Sequence, residues 1–115
     1  MAALDLPVLL VGSNCLGALN HVLLSLQVLR LKGLRPAAVV LMAPEEPEGL
    51  SAGERHDRER VLADNPEFLR RRLAAWGEDA PMVVLPRVAR LDAAGWQELA
   101  DACAVLLPAL ARHVP

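Results

Sequence analysis

The chain has 115 residues, of which 54% are hydrophobic and 3% aromatic, and its formal net charge is -2. This length allows one domain at most, and the weak negative charge with few aromatic rings argues against a nucleic-acid partner. The two cysteines, Cys15 and Cys103, are not spaced for zinc or redox chemistry, so we expect reduced thiols in a cytoplasmic protein. We predict a single, incomplete domain over residues 1–115, with neither a secretion signal nor a membrane span.

The first predicted elements are a strand and a helix joined by a short loop that contains Gly17. Residues 7–12 are continuously apolar, which is typical of a central strand covered by helices on both faces. Apolar residues then recur at helical spacing from Leu19 to Lys32, and Gly33 closes the helix. Because helix starts carry unpaired N–H groups and partial positive charge, this junction is a candidate anion site.

The motif Gly-x-x-x-x-Gly-Lys-Ser/Thr, which cradles nucleotide phosphates, is absent from the sequence.

A second buried strand is predicted over residues 37–42, parallel to the first. The charged segment 54–60 is interpreted as solvated, and its pattern fits either a short helix or a loop. A helix is then predicted to begin with Asn65 as N-cap and Pro66 at its first position. Its buried stripe comprises Phe68, Leu69, Leu73 and Trp76.

The last predicted elements are a short strand over residues 82–85 and a helix from Asp92 to about His113, which Pro108 kinks or shortens. The buried stripe of this helix comprises Trp96, Leu99, Cys103, Leu106 and Leu110. The resulting β-α-β-α-β-α order predicts a three-layer α/β arrangement around a parallel sheet. About three strands are fewer than the roughly five to six of an average sheet, so the sheet is expected to be unfinished.

Four segments follow one another along the chain: Leu16-Gly17-Ala18-Leu19-Asn20-His21 after a buried strand, Val39-Val40-Leu41, Asn65-Pro66-Glu67, and Leu85-Pro86-Arg87-Val88. Together they resemble the C-terminal half of ATP-dependent dethiobiotin synthetase over nearly the whole chain. The resemblance implies the C-terminal half of a P-loop NTPase fold. It also implies a part in biotin biosynthesis, where the family uses ATP and Mg²⁺ to close a cyclic urea on a diamino fatty acid.

The resemblance also implies two sites. The first reaches across a homodimer interface towards the carboxylate tail of the substrate, and it comprises Gly17, Ala18, Leu19 and Asn20. The second lies beside the nucleotide base and comprises Pro86, Arg87 and Val88. No catalytic residue and no metal ligand is assigned on this chain, because the family's phosphate loop, lysines and metal-binding acids belong to the other half. ATP and Mg²⁺ would therefore require a partner chain that supplies the phosphate loop.

The chain departs from the family pattern after its second strand. Met42 and Ala43 stand where the family usually has an Asn whose amide pairs with adenine, and a thioether cannot make that paired contact. Three hypotheses remain open. The chain is the substrate-tail and dimer-interface half of a split enzyme, a non-catalytic dimerisation or binding module of the same fold, or a truncated product.

Overall fold

The structure is a computed structural model, and it describes residues 6–112. Strands and helices alternate as predicted, which confirms the α/β class. The elements are β1 (Val8–Ser13), α1 (Ala18–Leu31), β2 (Pro36–Met42), α2 (Ala52–Ala75), β3 (Met82–Leu85), α3 (Ala93–Cys103), a 3₁₀ turn (Ala104–Leu106) and α4 (Leu107–Ala111). No helix among these is long and apolar enough to cross a membrane.

The three strands form one parallel sheet in the order β1-β2-β3. β2 is the central strand, and its residues 36–41 are all buried. The prediction that the first strand is central is wrong for the described residues, because β1 lies at an edge with Leu9 45% and Val11 50% exposed. A continuous apolar run indicates a strand whose two faces can both be covered by helices, and it does not indicate how many neighbouring strands it has. Residues 6–112 provide β1 with a neighbour on one side alone.

Two apolar layers cover the sheet. Helices α1 and α2 pack on one face around Val22, Leu26, Val39, Leu41, Leu69 and Leu73. The opposite face of β2 and β3 is covered by the C-terminal segment, around Ala38, Val40, Val83 and Leu106. The third layer therefore does not extend over β1, where Leu9 and Val11 remain exposed.

Helix α1 agrees with its prediction to within one residue at each end. Gly17 precedes it in the left-handed conformation, with φ of 83°. At its C-terminal end Gly33 has φ of 69°, its N–H donates to the carbonyl of Arg30, and the N–H of Leu34 donates to the carbonyl of Leu29. This pair of bonds is a Schellman motif, in which glycine adopts a left-handed conformation at no steric cost.

Helix α2 begins at Ala52 instead of the predicted Pro66, so the interpretation of Asn65 as its N-cap is wrong. The N-cap is Ser51, whose hydroxyl accepts from the N–H of Glu54 while the Glu54 carboxylate accepts from the N–H of Ser51. The charged segment 54–60 is part of this helix and largely exposed, and Pro66 lies in the helix interior.

The predicted stripes of the two later helices are only partly buried. On α2, Leu69 and Leu73 are buried whereas Phe68 is 43% exposed. The predicted final helix breaks into α3, the 3₁₀ turn and α4, with Pro108 in the first turn of α4. Trp96 on α3 is 59% exposed and contributes to neither core cluster. The predicted end at His113 lies outside the described residues.

Candidate functional site

The carboxyl ends of the three strands meet at one edge of the sheet. Ser13 of β1 is in register with Met42 of β2, which is in register with Leu85 of β3. The N–H of Asn14 donates to the carbonyl of Met42 at 2.7 Å, and the N–H of Ala43 donates to the carbonyl of Leu85 at 3.1 Å. In open α/β sheets, ligands bind in the crevice outside this edge.

The β1–α1 loop carries the predicted substrate-tail residues at this edge. The structure already uses two amides of the helix start: the N–H of Ala18 donates to the carbonyl of Cys15, and that of Asn20 to the carbonyl of Gly17. Gly17 and Asn20 are exposed, whereas Ala18 is buried, and Asn20 does not cap the helix. The site therefore offers the positive end of α1 and an exposed carboxamide, with fewer free amides than a bare helix start.

The predicted base-contacting residues follow the carboxyl end of β3. β3 and β1 are the two outer strands of the described sheet, with β2 between them. Arg87 is exposed, and Pro86 and Val88 are half-buried. β2 separates the two predicted sites, so the ends of β1 and β3 lie about 10 Å apart at two strand spacings. The structure brings both sites to one face of the domain without placing them in contact.

Met42 lies between the two sites with its side chain 50% exposed. It presents a thioether at the position that the family resemblance assigns to a base-pairing amide, and a thioether is only a weak acceptor. Among residues 6–112 there is also no group of three or more His, Cys, Asp or Glu side chains that could hold a metal ion. The described residues therefore do not by themselves fit ATP and Mg²⁺.

A buried pair of asparagines behind the loop was not among the predicted site residues. Asn14 and Asn65 are 2% and 6% exposed, and the side-chain amide of Asn65 donates to Oδ1 of Asn14 and to the carbonyl of Cys15, both at 3.1 Å. Asn14 in turn donates from Nδ2 to the carbonyl of Leu62 at 3.0 Å. These bonds fasten the β1–α1 loop to the middle of α2.

A cavity of about 370 Å³ lies between this loop and the first half of α2. Its walls are mostly apolar and charged groups stand at α2; the lining residues are Cys15, Leu16, Pro47, Leu50, Glu54, Asp57, Arg58, Val61 and Leu62. The guanidinium of Arg58 donates to the carbonyl of Glu45 at 2.8 Å, so it is engaged in holding the β2–α2 loop. Hydrogen bonds from the side chain of Ser51, and secondly from its backbone, hold the pKa of Glu54 below its usual 4.5.

A comparison with known protein families identifies the family of this chain. The family model described as "AAA domain" matches residues 1–90. The chain belongs to this family. A sheet of three parallel strands with helices on both faces agrees with a piece of a P-loop NTPase-like domain.

The relatives of this AAA-domain chain include proteins of biotin biosynthesis. It is 50% identical over 48 residues to the ATP-dependent dethiobiotin synthetase BioD of Phenylobacterium zucineum (strain HLK1), which is 42% of this chain and 20% of that protein. It is 54% identical over 41 residues, 36% of this chain, to 19% of the BioD of Caulobacter vibrioides (strain NA1000 / CB15N). The biotin biosynthesis bifunctional protein BioCD of Bordetella avium (strain 197N) is 39% identical over 65 residues, 56% of this chain and 14% of that protein.

The relationship to dethiobiotin synthetases predicted from the sequence is thereby confirmed, over a part of each protein. The matched segments span about a fifth of the length of the two dethiobiotin synthetases. No solved structure matches the chain at a significant level.

Proposed function

We propose that this chain is the substrate-tail and dimer-interface half of a dethiobiotin synthetase, which joins a separate half carrying the phosphate loop. In this proposal the assembled enzyme forms a cyclic urea on a diamino fatty acid with ATP and Mg²⁺ in the cytoplasm. The reacting groups come from the partner half, and this chain binds the carboxylate tail of the substrate. The observation that carries the proposal is the apolar edge of β1 that no strand among residues 6–112 pairs with, in a chain whose relatives extend well beyond the matched segment.

The backbone of β1 is available for a further strand. The N–H of Asn14 points to β2, where it bonds Met42, and N–H directions alternate along a strand. The N–H of Gly12 therefore also points to β2, whereas the N–H groups of Val11 and Ser13 point to the free edge. A strand added there would complete the pairing of β1 on both sides.

Apolar side chains flank this edge on both faces of the sheet. Leu9 and Val11 are exposed on the face that the C-terminal helices leave uncovered, and Leu24 and Val28 of α1 are exposed at 62% and 54% on the other face. Burying the exposed half of such a side chain contributes roughly 1 kcal/mol. This arrangement suits an incoming strand that is apolar on both faces, as in the interior of a parallel sheet.

The test of this proposal mixes the purified chain with the half of a dethiobiotin synthetase that contains Gly-x-x-x-x-Gly-Lys-Ser/Thr. We expect a complex on size-exclusion chromatography with light scattering, and ring closure of the diamino substrate that depends on ATP and on both halves. Val11→Pro removes the outward N–H and should abolish the complex while the circular dichroism spectrum is unchanged, because proline is tolerated on an edge strand. Val11→Thr is the matched control, since it keeps the N–H and a β-branched side chain.

Each other outcome contradicts the proposal. If the halves do not associate, or if Val11→Pro and Val11→Thr associate equally well, the β1 edge does not receive the partner. If the isolated chain forms a homodimer that Val11→Pro disrupts, a second copy occupies the edge. A complex without ring closure contradicts the enzyme proposal and favours a binding module.

The tail site has its own test in the assembled enzyme. Asn20 is exposed, so Asn20→Asp adds a negative charge at the helix start without a packing change. Repulsion of the substrate carboxylate should raise KM roughly tenfold with kcat unchanged. Gln27→Glu makes the same charge change on an exposed position of α1, two turns further on, and should leave KM unchanged. Equal KM values for both variants would place the tail elsewhere.

A second candidate function is the non-catalytic binding module. The exposed thioether of Met42 favours it, because this residue occupies the place of the base-pairing amide. In that case the two halves would associate without ATP affinity. Isothermal titration of ATP into the mixed halves discriminates the candidates, since an enzyme must bind ATP and a module need not.

A further inference from the structure

We infer that Asn14 is a positioning residue, which fixes the β1–α1 loop by bonding a backbone carbonyl that Pro66 leaves without its helical donor. In a regular helix the N–H of residue 66 would donate to the carbonyl of Leu62, four residues earlier. Proline has no N–H, so this carbonyl lacks its regular partner. The side chain of Asn14 supplies the missing donor, with Nδ2 at 3.0 Å from the Leu62 oxygen.

The neighbouring residue completes the arrangement. Asn65 uses both hydrogens of its side-chain amide, one for Oδ1 of Asn14 and one for the carbonyl of Cys15. Both residues are buried, yet no buried side-chain nitrogen or oxygen among residues 6–112 lacks a hydrogen-bond partner. A buried polar network of this kind specifies a single arrangement because any slip leaves a desolvated group unpaired.

The bonds hold the loop from two directions. The backbone N–H of Asn14 bonds Met42 of β2, while its side chain bonds α2. Residues 14 and 15 are therefore fixed between the sheet and the turn of α2 that contains Pro66, and only Leu16 separates them from Gly17. The Asn65-Pro66 pair thus determines where the start of α1 lies, whatever ligand the loop binds, and this role goes beyond the proposed function.

A double-mutant experiment tests the inference on the full chain. Cys103→Ser leaves Cys15 as the one thiol, and the rate of Cys15 modification in the native protein reports loop opening. Asn14→Ala should raise this rate roughly tenfold, the equivalent of one lost hydrogen bond. Asn20→Ala, which removes an exposed carboxamide a few residues away, is the matched control and should leave the rate unchanged.

Pro66→Ala distinguishes this role from ordinary packing. It restores an N–H that bonds the Leu62 carbonyl, so the loss of denaturant midpoint caused by Asn14→Ala should be smaller in the Pro66→Ala chain than in the parent. The faster modification of Cys15 should persist, because the loop has still lost its attachment. Equal midpoint losses in both chains, or a Cys15 rate unaffected by Asn14→Ala, would overturn the inference.

Pro66→Ala alone carries the test if Asn14→Ala does not fold. The new N–H competes with Asn14 for the Leu62 carbonyl, so Cys15 modification should accelerate while the helix content stays the same. A Cys15 rate equal to that of the Cys103→Ser parent would contradict the inference.

Discussion

Arg30 lies over the indole of Trp76, with its guanidinium carbon 4.7 Å from the ring centroid. The contact joins the C-terminal end of α1 to the C-terminal end of α2. It lies at the end of the domain opposite the loops of the candidate site. A cation over an aromatic ring contributes about 0.5–1 kcal/mol at an exposed site.

Removing the cation should therefore weaken the packing of α1 on α2. Arg30→Met keeps an unbranched apolar stem but loses the charge, and we expect the free energy of unfolding to fall by about 0.5–1 kcal/mol. Urea titration followed by circular dichroism measures this. Arg70→Met, at an exposed position of α2, is the control, and an equal effect of the two substitutions would show that the ring contact does not stabilise the fold.

Gly12 of β1 packs directly against Val22 of α1. A Cβ added there would lie 2.7 Å from Cγ2 of Val22, so Gly12→Ala should destabilise the chain by about 1–3 kcal/mol through overpacking. Val22→Ala removes the obstructing methyl groups. The double variant should be more stable than the sum of the two single effects, as measured by urea titration. Strict additivity would mean that the two residues do not compete for the same space.

Two further glycines should respond oppositely to the same substitution. A Cβ at Gly95 would overlap the carbonyl oxygen of Arg90, so Gly95→Ala should displace the start of α3 and cost more than about 2 kcal/mol. Gly53 in the first turn of α2 has open space around it, and Gly53→Ala should stabilise by about 0.4–1 kcal/mol. Thermal unfolding of both variants checks the signs, and a shift of Tm in the same direction for both would contradict the prediction.

The capping box of α2 predicts a pH dependence. The pKa of Glu54 is lowered in the folded chain by its hydrogen bonds with Ser51, so the charged carboxylate stabilises folding above its unfolded pKa of 4.5. This contribution disappears as pH falls below 4.5 through the folded pKa. Glu54→Gln should accordingly be less stable than the parent at pH 7, with the difference shrinking as pH falls below 4.5 through the folded pKa.

Urea titrations at several pH values between 7 and 3 measure that difference. Glu59→Gln removes a carboxylate from the same helix outside its first turn and is the control. A constant difference between Glu54→Gln and the parent across the range would show that the capping carboxylate is not the titrating group.

The sequence predicted the elements whose signals are local. The strands over 7–12, 37–42 and 82–85 and the helix closed by Gly33 appear within a residue or so of their predicted bounds. The predicted start of α2 was wrong because two segments of the sequence both have the composition of a helix start. Asn65-Pro66-Glu67 has the composition of a helix start, yet Ser51 and Glu54 form the Ser-x-x-Glu capping box that begins the helix. That box is visible in the sequence and could have corrected the prediction.

Other features depend on contacts between distant segments. Pro66 is accommodated inside α2 with Asn14 bonding the freed carbonyl, and these residues are far apart in the chain. The residues next to Asn14 and Asn65 in the sequence do not indicate that the two side chains are buried or that they bond each other. Likewise, helical spacing predicted that Trp96 is buried, whereas its side chain is 59% exposed on α3. The predicted substrate-tail and base-contacting residues remain predictions.

The exposed edge of β1 has a consequence for the supply of this chain in the cell. A strand that presents Leu9, Val11 and Ser13 without a charge among them can pair with any extended segment it meets, including another copy of itself. If a partner half covers that edge, production in excess of the partner would leave the surplus prone to aggregation and proteolysis. Matched expression of the two halves, rather than abundance of this one, would then set the amount of usable protein.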